Sequence, residues 1–387
     1  MRRRDTLRAI GGIAGTGVLG TGVASAEDCP DDFVRPGGPF PPETANINYN
    51  AFTSNERLYA TLETFDGRGG IEYEPIGETW EGRPVPYVRV GSGDTDVFYV
   101  TQQHGDEQHV TEAVLKVLKR FAAGGGGTDA IRDELTLHVV PRLNPDGWAP
   151  ADDGETPRRE NARPDDVCHD GPYFGRDQCG SVDPNRQHYF GIDPEVLAEY
   201  DGIDPDLIPD ENPSPETQAF LDRADEVGAD IVCDWHHQFT LRNGDCELIN
   251  ASTKWPLNEA APDDAVALSR QISAYAYQET RGYGHTTWDT YPGGTTANIA
   301  RNGHGVRGRG SVLFEFRGQA DDLGNASNGR LVTVIETVMT AVLEGLASGA
   351  LYDVDPAAAD DIPPRGDYFW KELPKSEWGP EHEAYGE

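Results

Sequence analysis

Four stretches of the 387-residue chain carry side chains that can hold a metal or move a proton. In "VTQQHGDEQHV" an apolar strand pattern ends near Gln102 or Gln103, and His104 and Glu107 follow where the chain turns into a helix pattern. Residues three apart in a first helical turn face one point, so one imidazole and one carboxylate can converge there. An isolated H-x-x-E is common and more often structural than functional. Three further strand ends change its weight. "DIVCDWHHQ" closes a strand with His236, "RLNPDGW" closes another, and "SVLFEFRG" sets a lone carboxylate, Glu315, between Phe314 and Phe316. An acid in such a strand is costly to bury without a role, and partial desolvation raises its pKa toward a value useful for a general base.

Bringing these residues together requires strands whose carboxyl ends lie side by side. "IEYEPIGETWEGRPVPYVRVG", "DVFYVTQ", "LTLHVVPRL", "ADIVCDWHH" and "SVLFEFRG" read as strands separated by turns. "ERLYATLETF", "EAVLKVLKRFA", "ETQAFLDRADEVG", "DAVALSRQISAYAYQETR" and "GRLVTVIETVMTAVLEGLAS" carry the helical period. The alternation predicts one α/β domain with a mixed, mostly parallel twisted sheet flanked by helices on both faces. The acidic, Pro-rich stretch "DGIDPDLIPDENPSPE" and the tail after Tyr352 read as solvated loop and tail. A calcium site within 201–212 would have the wrong spacing for an EF-hand.

Composition excludes some partners. Asp and Glu number 67 against 32 Lys and Arg, for a formal charge of −35, so a nucleic acid would be repelled over most of the surface. Lysine is confined to Lys116, Lys119, Lys254, Lys371 and Lys375, and the acidic residues spread along the whole chain, a pattern suited to solubility in high salt. "MRRRDTLRAIGGIAGTGVLGTGVASAEDC" resembles a twin-arginine export signal over 1–26, with Arg3-Arg4 and a small-residue cleavage site at Ala24-Ser25-Ala26. Its Gly- and Thr-rich run makes a poor membrane span, and no stable membrane anchor is expected. The expected partners are therefore the twin-arginine export machinery and a secreted or cell-surface location. A Pro-rich lead-in follows over 27–46. In an exported chain thiols tend to pair, so Cys168 with Cys179 and Cys233 with Cys246 are candidate bridges, leaving Cys29 over. No C-x-x-C occurs to suggest a cysteine metal cluster.

From about Ile47 to Leu346, "HGDE", "NPDG", "RRENAR", "DPNR", "DWHH", a Tyr before Gly-Gly and "FEFR" follow one another in a known order. Singly each is weak; as an ordered set they resemble the zinc carboxypeptidases of the carboxypeptidase A type. The resemblance implies a carboxypeptidase A-like catalytic domain over 47–350 and an acidic tail over 351–387. It further implies one Zn2+ held by His104, Glu107 and His236, with Glu315 as general base and Arg159 stabilising the oxyanion. Two neutral imidazoles and one carboxylate leave net positive charge on the metal and an open position, which suits that role. Asn185 and Arg186 would grip the terminal carboxylate of a peptide, Asp183 would orient a zinc histidine, and Tyr291 would close over the substrate. Thr296 falls near the position that sets side-chain preference. Arg158 is a one-residue alternative to Arg159, and "YPGG" is two residues shorter between Tyr and Gly-Gly than the family's usual pattern. Peptide or protein C-termini are the expected substrate; an amidase-like hydrolase of cell-wall peptides or acyl-amino acids, and a non-catalytic peptide binder, are the alternatives. Among the other histidines, His109 is expected at the surface or behind the site, His237 on the opposite side of its strand, and His138 satisfied within the sheet. His285 and His304 are expected in Gly-rich loops.

Overall fold

The computed structural model describes residues 48–173, 175–238, 249–282, 286–290, 293–317 and 328–365. The signal and lead-in readings, Cys29, Cys246, His285 and Tyr291 all lie outside these residues.

An eight-stranded sheet forms the centre. Its strands are β1 (Ile71–Glu78), β2 (Pro84–Gly91), β3 (Thr95–Thr101), β4 (Leu135–Val140), β7 (Ile231–Gln238), β8 (Ala251–Lys254), β9 (Trp288–Asp289) and β10 (Gly310–Arg317), in the order β1-β2-β4-β3-β7-β10-β8-β9. The middle of the sheet, β4-β3-β7-β10, is parallel throughout, while β1, β2 and β8 join antiparallel and β9 runs parallel to β8. This is the mixed, mostly parallel sheet that the alternating pattern predicts. The hairpin β5 (Cys168–Gly171) and β6 (Gly175–Cys179) stands apart and is closed by the Cys168–Cys179 disulfide. The second candidate bridge is not made from Cys233, which is a buried free thiol in β7.

The apolar run Val97–Val100 and the wholly buried Leu135–Val140, where only Thr136 and His138 are polar, are what strands covered on both faces require. On one face α2 (Gln108–Ala123), α7 (Asp263–Thr280) and α9 (Asn328–Ser348) bury the larger core, which includes Val114, Leu118, Ile272, Val338 and Val342. By length and composition α9 could cross a membrane, yet its apolar face packs into this core and Tyr99 donates a hydrogen bond to the Met339 carbonyl at 2.8 Å. On the other face α6 (Pro215–Glu226) packs Phe220 and Ala224 against Phe98, Val100, Val140 and Val232. Its start is set by Ser214, whose hydroxyl accepts from the Thr217 amide, and by Pro215 in the first turn. The short helices α1 (Asn55–Phe65), α3 (Gly126–Glu134), α4 (Pro145–Asp152), α5 (Pro194–Tyr200) and α8 (Ala300–Val306) complete the domain.

Two expectations are corrected. The tail reading fails for residues 351–365: two 3-10 turns, Ala350–Asp353 and Pro356–Asp361, pack on α7, and Leu351, Ala359 and Ile362 enter the core. The spaced apolar residues outweigh the acidic composition there. The 201–212 segment is not simply solvated either, because the Asp201 carboxylate accepts from Tyr173, Asn258 and the Ala297 amide.

Candidate metal and catalytic site

The chemistry sits at the carboxyl ends of β3, β7 and β10. After β3 the backbone turns at Gln102, whose φ of 51° lies in the left-handed region that a non-glycine residue enters at a cost of about 1–3 kcal/mol. Tertiary bonds hold it there. The Gln102 Nε2 donates to the Gly105 carbonyl at 2.7 Å, and its Oε1 accepts from Thr111 and from the buried Arg142. Gly105 is obligatory for another reason: a Cβ would lie 2.2 Å from the Gly147 carbonyl carbon and 2.5 Å from the Arg158 oxygen. The "HGDE" loop is thus pressed onto the "NPDG" turn. Asn144 caps α4 by accepting from the Gly147 amide, and its Nδ2 donates to the Arg159 and Glu160 carbonyls. "NPDG" thus forms the turn into α4, and that turn also carries the segment that bears Arg159.

Alternation along the strands does the rest. His236 on β7 and Glu315 on β10 are partners in parallel register, so both project from the same face at the same height. Trp235, Phe314 and Phe316 project from the other face and stack, with ring centroids 4.6 Å and 6.0 Å from Trp235.

His104, Glu107 and His236 converge with ligand atoms all within 4.8 Å of one another, and all three are buried. Glu107 reaches His104 Nδ1 with Oε1 at 2.7 Å and His236 Nδ1 with Oε2 at 2.8 Å, while the two Nδ1 atoms are 3.1 Å apart. The opposite ring nitrogens are held by carboxylates: His104 Nε2 lies 3.0 Å from Asp183, and His236 Nε2 lies 2.8 Å from Asp234. Each imidazole therefore presents Nδ1 to a common point while a carboxylate fixes its Nε2, the arrangement that orients metal-binding histidines. Two nitrogens and a carboxylate on a buried, polar point fit a zinc ion with a position left open.

Electrostatics agree with this convergence. Burial opposes charge at His236, but Asp234 and Glu107 raise it well above the usual imidazole value. His104 is raised as well: burial and Arg159 work against its charge, and Glu107 and Asp183 outweigh them. Burial likewise resists ionisation of Glu107, and the two histidines hold it well below the carboxylate range. Burial pushes Glu315 up to about 7, against the pull of His236. Its Oε2 is enclosed and has no hydrogen-bond partner.

Around the cluster, Arg159 donates from Nε and Nη2 to Asp183 Oδ2 at 3.2 and 3.0 Å, with Nη1 3.9 Å from Glu107. Arg158 turns away and donates to the Asp146 carbonyl, so of the two arginines it is Arg159 that lies beside the cluster. Asn185 places Nδ2 3.1 Å from His236 Nε2 and accepts from the Ala300 amide, and Arg186 lies 3.8 Å from Asp183. Thr296 bonds to Asn298 in the 293–299 loop, which joins the cluster through that same Ala300–Asn185 bond.

The remaining histidines divide. His138 is satisfied by Tyr87 and Asp96, as expected. His237 points to the opposite face and accepts from the His109 amide at 3.2 Å. His109 is not at the surface: it is fully buried against His237 and Phe52, because α2 covers that face. His304 lies in α8 rather than a loop and contacts Arg309.

Asp234 is a functional neighbour that the sequence reading missed; the signal that could have found it is its position two before His236 in the same strand. A second feature had no such signal. Arg365 donates to Asp289 Oδ2 at 2.6 Å and to Ser252 at 2.9 Å, and Ser252 stands opposite Glu315 across β8 and β10. Arg365, far past β10 in sequence, thereby walls the Glu315 side of the site.

Comparison with known proteins decides the family. A family model described as zinc carboxypeptidase matches residues 61–322. The chain belongs to the zinc carboxypeptidase family. The metallo-carboxypeptidase of Burkholderia cenocepacia shares the fold, with a TM-score of 0.51 at 19% identity over 77% of this chain and 69% of that one. Carboxypeptidase B of Astacus astacus is 26% identical over 123 residues, 31% of this chain and 38% of that protein. Gamma-D-glutamyl-L-diamino acid endopeptidase 1 of Lysinibacillus sphaericus is 24% identical over 110 residues, 26% of each. The matched part thus spans well under half the length of these curated relatives.

Proposed function

We propose that this family member is a zinc-dependent exopeptidase that releases C-terminal residues from peptides. The observation that carries the reading is the register of β7 and β10, which sets Glu315 beside the convergent His104, Glu107 and His236. Zinc held by these three residues would supply Lewis acidity toward water and the scissile carbonyl. Glu315 Oε2 takes the proton that water loses and returns it to the leaving amine; its burial in an apolar strand, which raises this carboxylate in the metal-free chain, favours holding that proton. Arg159, anchored by Asp183, offers a guanidinium to the developing oxyanion. Asn185 and Arg186 bind the terminal carboxylate, which restricts hydrolysis to chain ends. Tyr291 and Thr296 complete the proposal as the closing residue and a contributor to side-chain preference. Export by the twin-arginine route and operation in high salt belong to the same reading, supported by the N-terminal pattern and the charge of −35.

A hydrolase of cell-wall peptides finds support in the name of the Lysinibacillus relative. A mixed peptide library assayed in high salt, with and without chelator and with amidated counterparts, separates the two. Chelator-sensitive trimming abolished by amidation supports the exopeptidase. Zinc-loaded protein that ignores the library and cleaves γ-D-glutamyl peptides would overturn it.

A further inference from the structure

Behind the ligand positions runs a line of buried polar groups that no motif marks. His188 Nε2 lies 2.8 Å from Gln103 Oε1, Gln103 Nε2 lies 2.7 Å from Asp234 Oδ1, and that oxygen lies 2.8 Å from His236 Nε2. Gln103, His188, Asp234 and His236 are each at most 1% exposed, so water does not compete.

Donors and acceptors along this line follow from one constraint. An ionised carboxylate only accepts, so Asp234 turns the Gln103 amide nitrogen toward itself and takes a hydrogen bond from His236 Nε2. The Gln103 oxygen must then face His188 and needs a donor, which is the His188 Nε2–H. Burial holds His188 down at about 3, so it is neutral and its single proton is committed to that bond. Asn185 Nδ2 also approaches His236 Nε2, at 3.1 Å, but the closer and charged Asp234 is the group that can accept its proton. With Nε2 protonated, the His236 Nδ1 lone pair points at the space shared with His104 and Glu107.

We propose that Gln103 and His188 are positioning residues for the metal centre, locking Asp234 and, through it, the tautomer and ring orientation with which His236 binds. The proposal rests on the zinc-binding reading above. It also separates the two histidine supports: Asp183 behind His104 is clamped by the cation Arg159, whereas Asp234 behind His236 is clamped by the neutral Gln103 amide, which a neutral imidazole holds in turn.

The test uses the full chain and two readouts apart from turnover, the zinc dissociation constant from chelator competition and the visible spectrum of the cobalt-substituted protein. Gln103→Met should weaken zinc about 10–100-fold and alter the cobalt bands. His188→Phe should act in the same direction, and His188→Gln, whose amide can still donate to Gln103, should recover much of the loss. His138→Gln, buried in β4 and unconnected to the line, is the control and should leave affinity within about twofold. Should Gln103→Met fail to fold, the two His188 variants carry the test. Unchanged affinity and spectrum in Gln103→Met and His188→Phe, or an equal loss in His138→Gln, would overturn the proposal while the zinc reading stands. Wild-type chain that binds no zinc would overturn both.

Discussion

His236 and His237 are neighbours in sequence and opposites in chemistry. His236 faces Asp234 and Glu107 and is raised well above the usual imidazole value despite its burial. His237, on the other side of β7, is held well below that value by burial and then by His109. One face of β7 and β10 gathers Asp234, His236 and Glu315; the other stacks Trp235 between the core and the two phenylalanines of β10. The period of two lets a single strand pair serve both purposes. The backbone ladder of the parallel pair fixes the spacing and register of the strands, the stacked rings fill the face behind it, and His236 and Glu315 are thereby set side by side on the polar face.

The largest way to break this comparison is to exchange the histidines' fates. His236→Ala should abolish zinc binding and turnover, because two ligands remain on a site that needs three. His237→Ala should retain one zinc per chain and lose about 1–3 kcal/mol, since the buried His109 amide loses its acceptor. Metal analysis of the two purified variants checks both; zinc retained by His236→Ala and lost from His237→Ala would reverse the assignment of faces.

A smaller step acts on β10. Glu315→Gln keeps the shape of the side chain and removes the proton acceptor, so kcat should fall about 10²–10⁴-fold with zinc retained. Phe314→Ala, one residue away, should instead lower stability by about 3–5 kcal/mol and leave zinc stoichiometry unchanged in the folded protein. Parallel denaturant melts and steady-state kinetics distinguish the two, and a Glu315→Gln enzyme of undiminished turnover would remove Glu315 as the base.

The pH dependence of metal binding follows from the same face. In the metal-free chain His104 and His236 have raised values, so protonation stabilises that state below the unfolded imidazole value of 6.5 and the contribution is lost as pH rises through the raised folded values. Protons and metal compete for the same Nδ1 atoms. Zinc affinity should therefore fall with acidification, by about tenfold per pH unit for each proton displaced, in chelator competition at several pH values. An affinity independent of pH would mean that the imidazoles are already neutral without metal.

The sequence revealed one half of this architecture better than the other. β3, β7 and β10 and the helices α2, α6, α7 and α9 stand out because their periods are long and regular, and His104, Glu107, His236 and Glu315 fall at their ends. The two-residue β9 and four-residue β8 are too short to carry a period, so Ser252 and Asp289 stayed invisible, as did Arg365, which reaches them from beyond α9. Gln103 and His188 are 85 positions apart and join only through the fold. Asp234 was missed as well, although its alternation with His236 within an apolar strand puts both on one face.

The smallest expected effect concerns Cys233, which shares the core face with Trp235 and His237. It is fully buried, and burial with the neighbouring Asp234 charge raises its thiol well above the ordinary cysteine value. A thiolate is the reacting species in alkylation and disulfide exchange, so this sulfur is shielded both by access and by protonation. In the folded chain Cys233 should resist iodoacetamide and become modified only on unfolding, as read by mass spectrometry of its tryptic peptide. Cys233→Ala should leave zinc binding and kcat unchanged and lower stability by no more than about 1–2 kcal/mol, because only one sulfur leaves the core. A peptide recovered with Cys233 linked to Cys246 would break the comparison at its root. Such a bond would contradict the buried free thiol that β7 holds on the face it shares with Trp235.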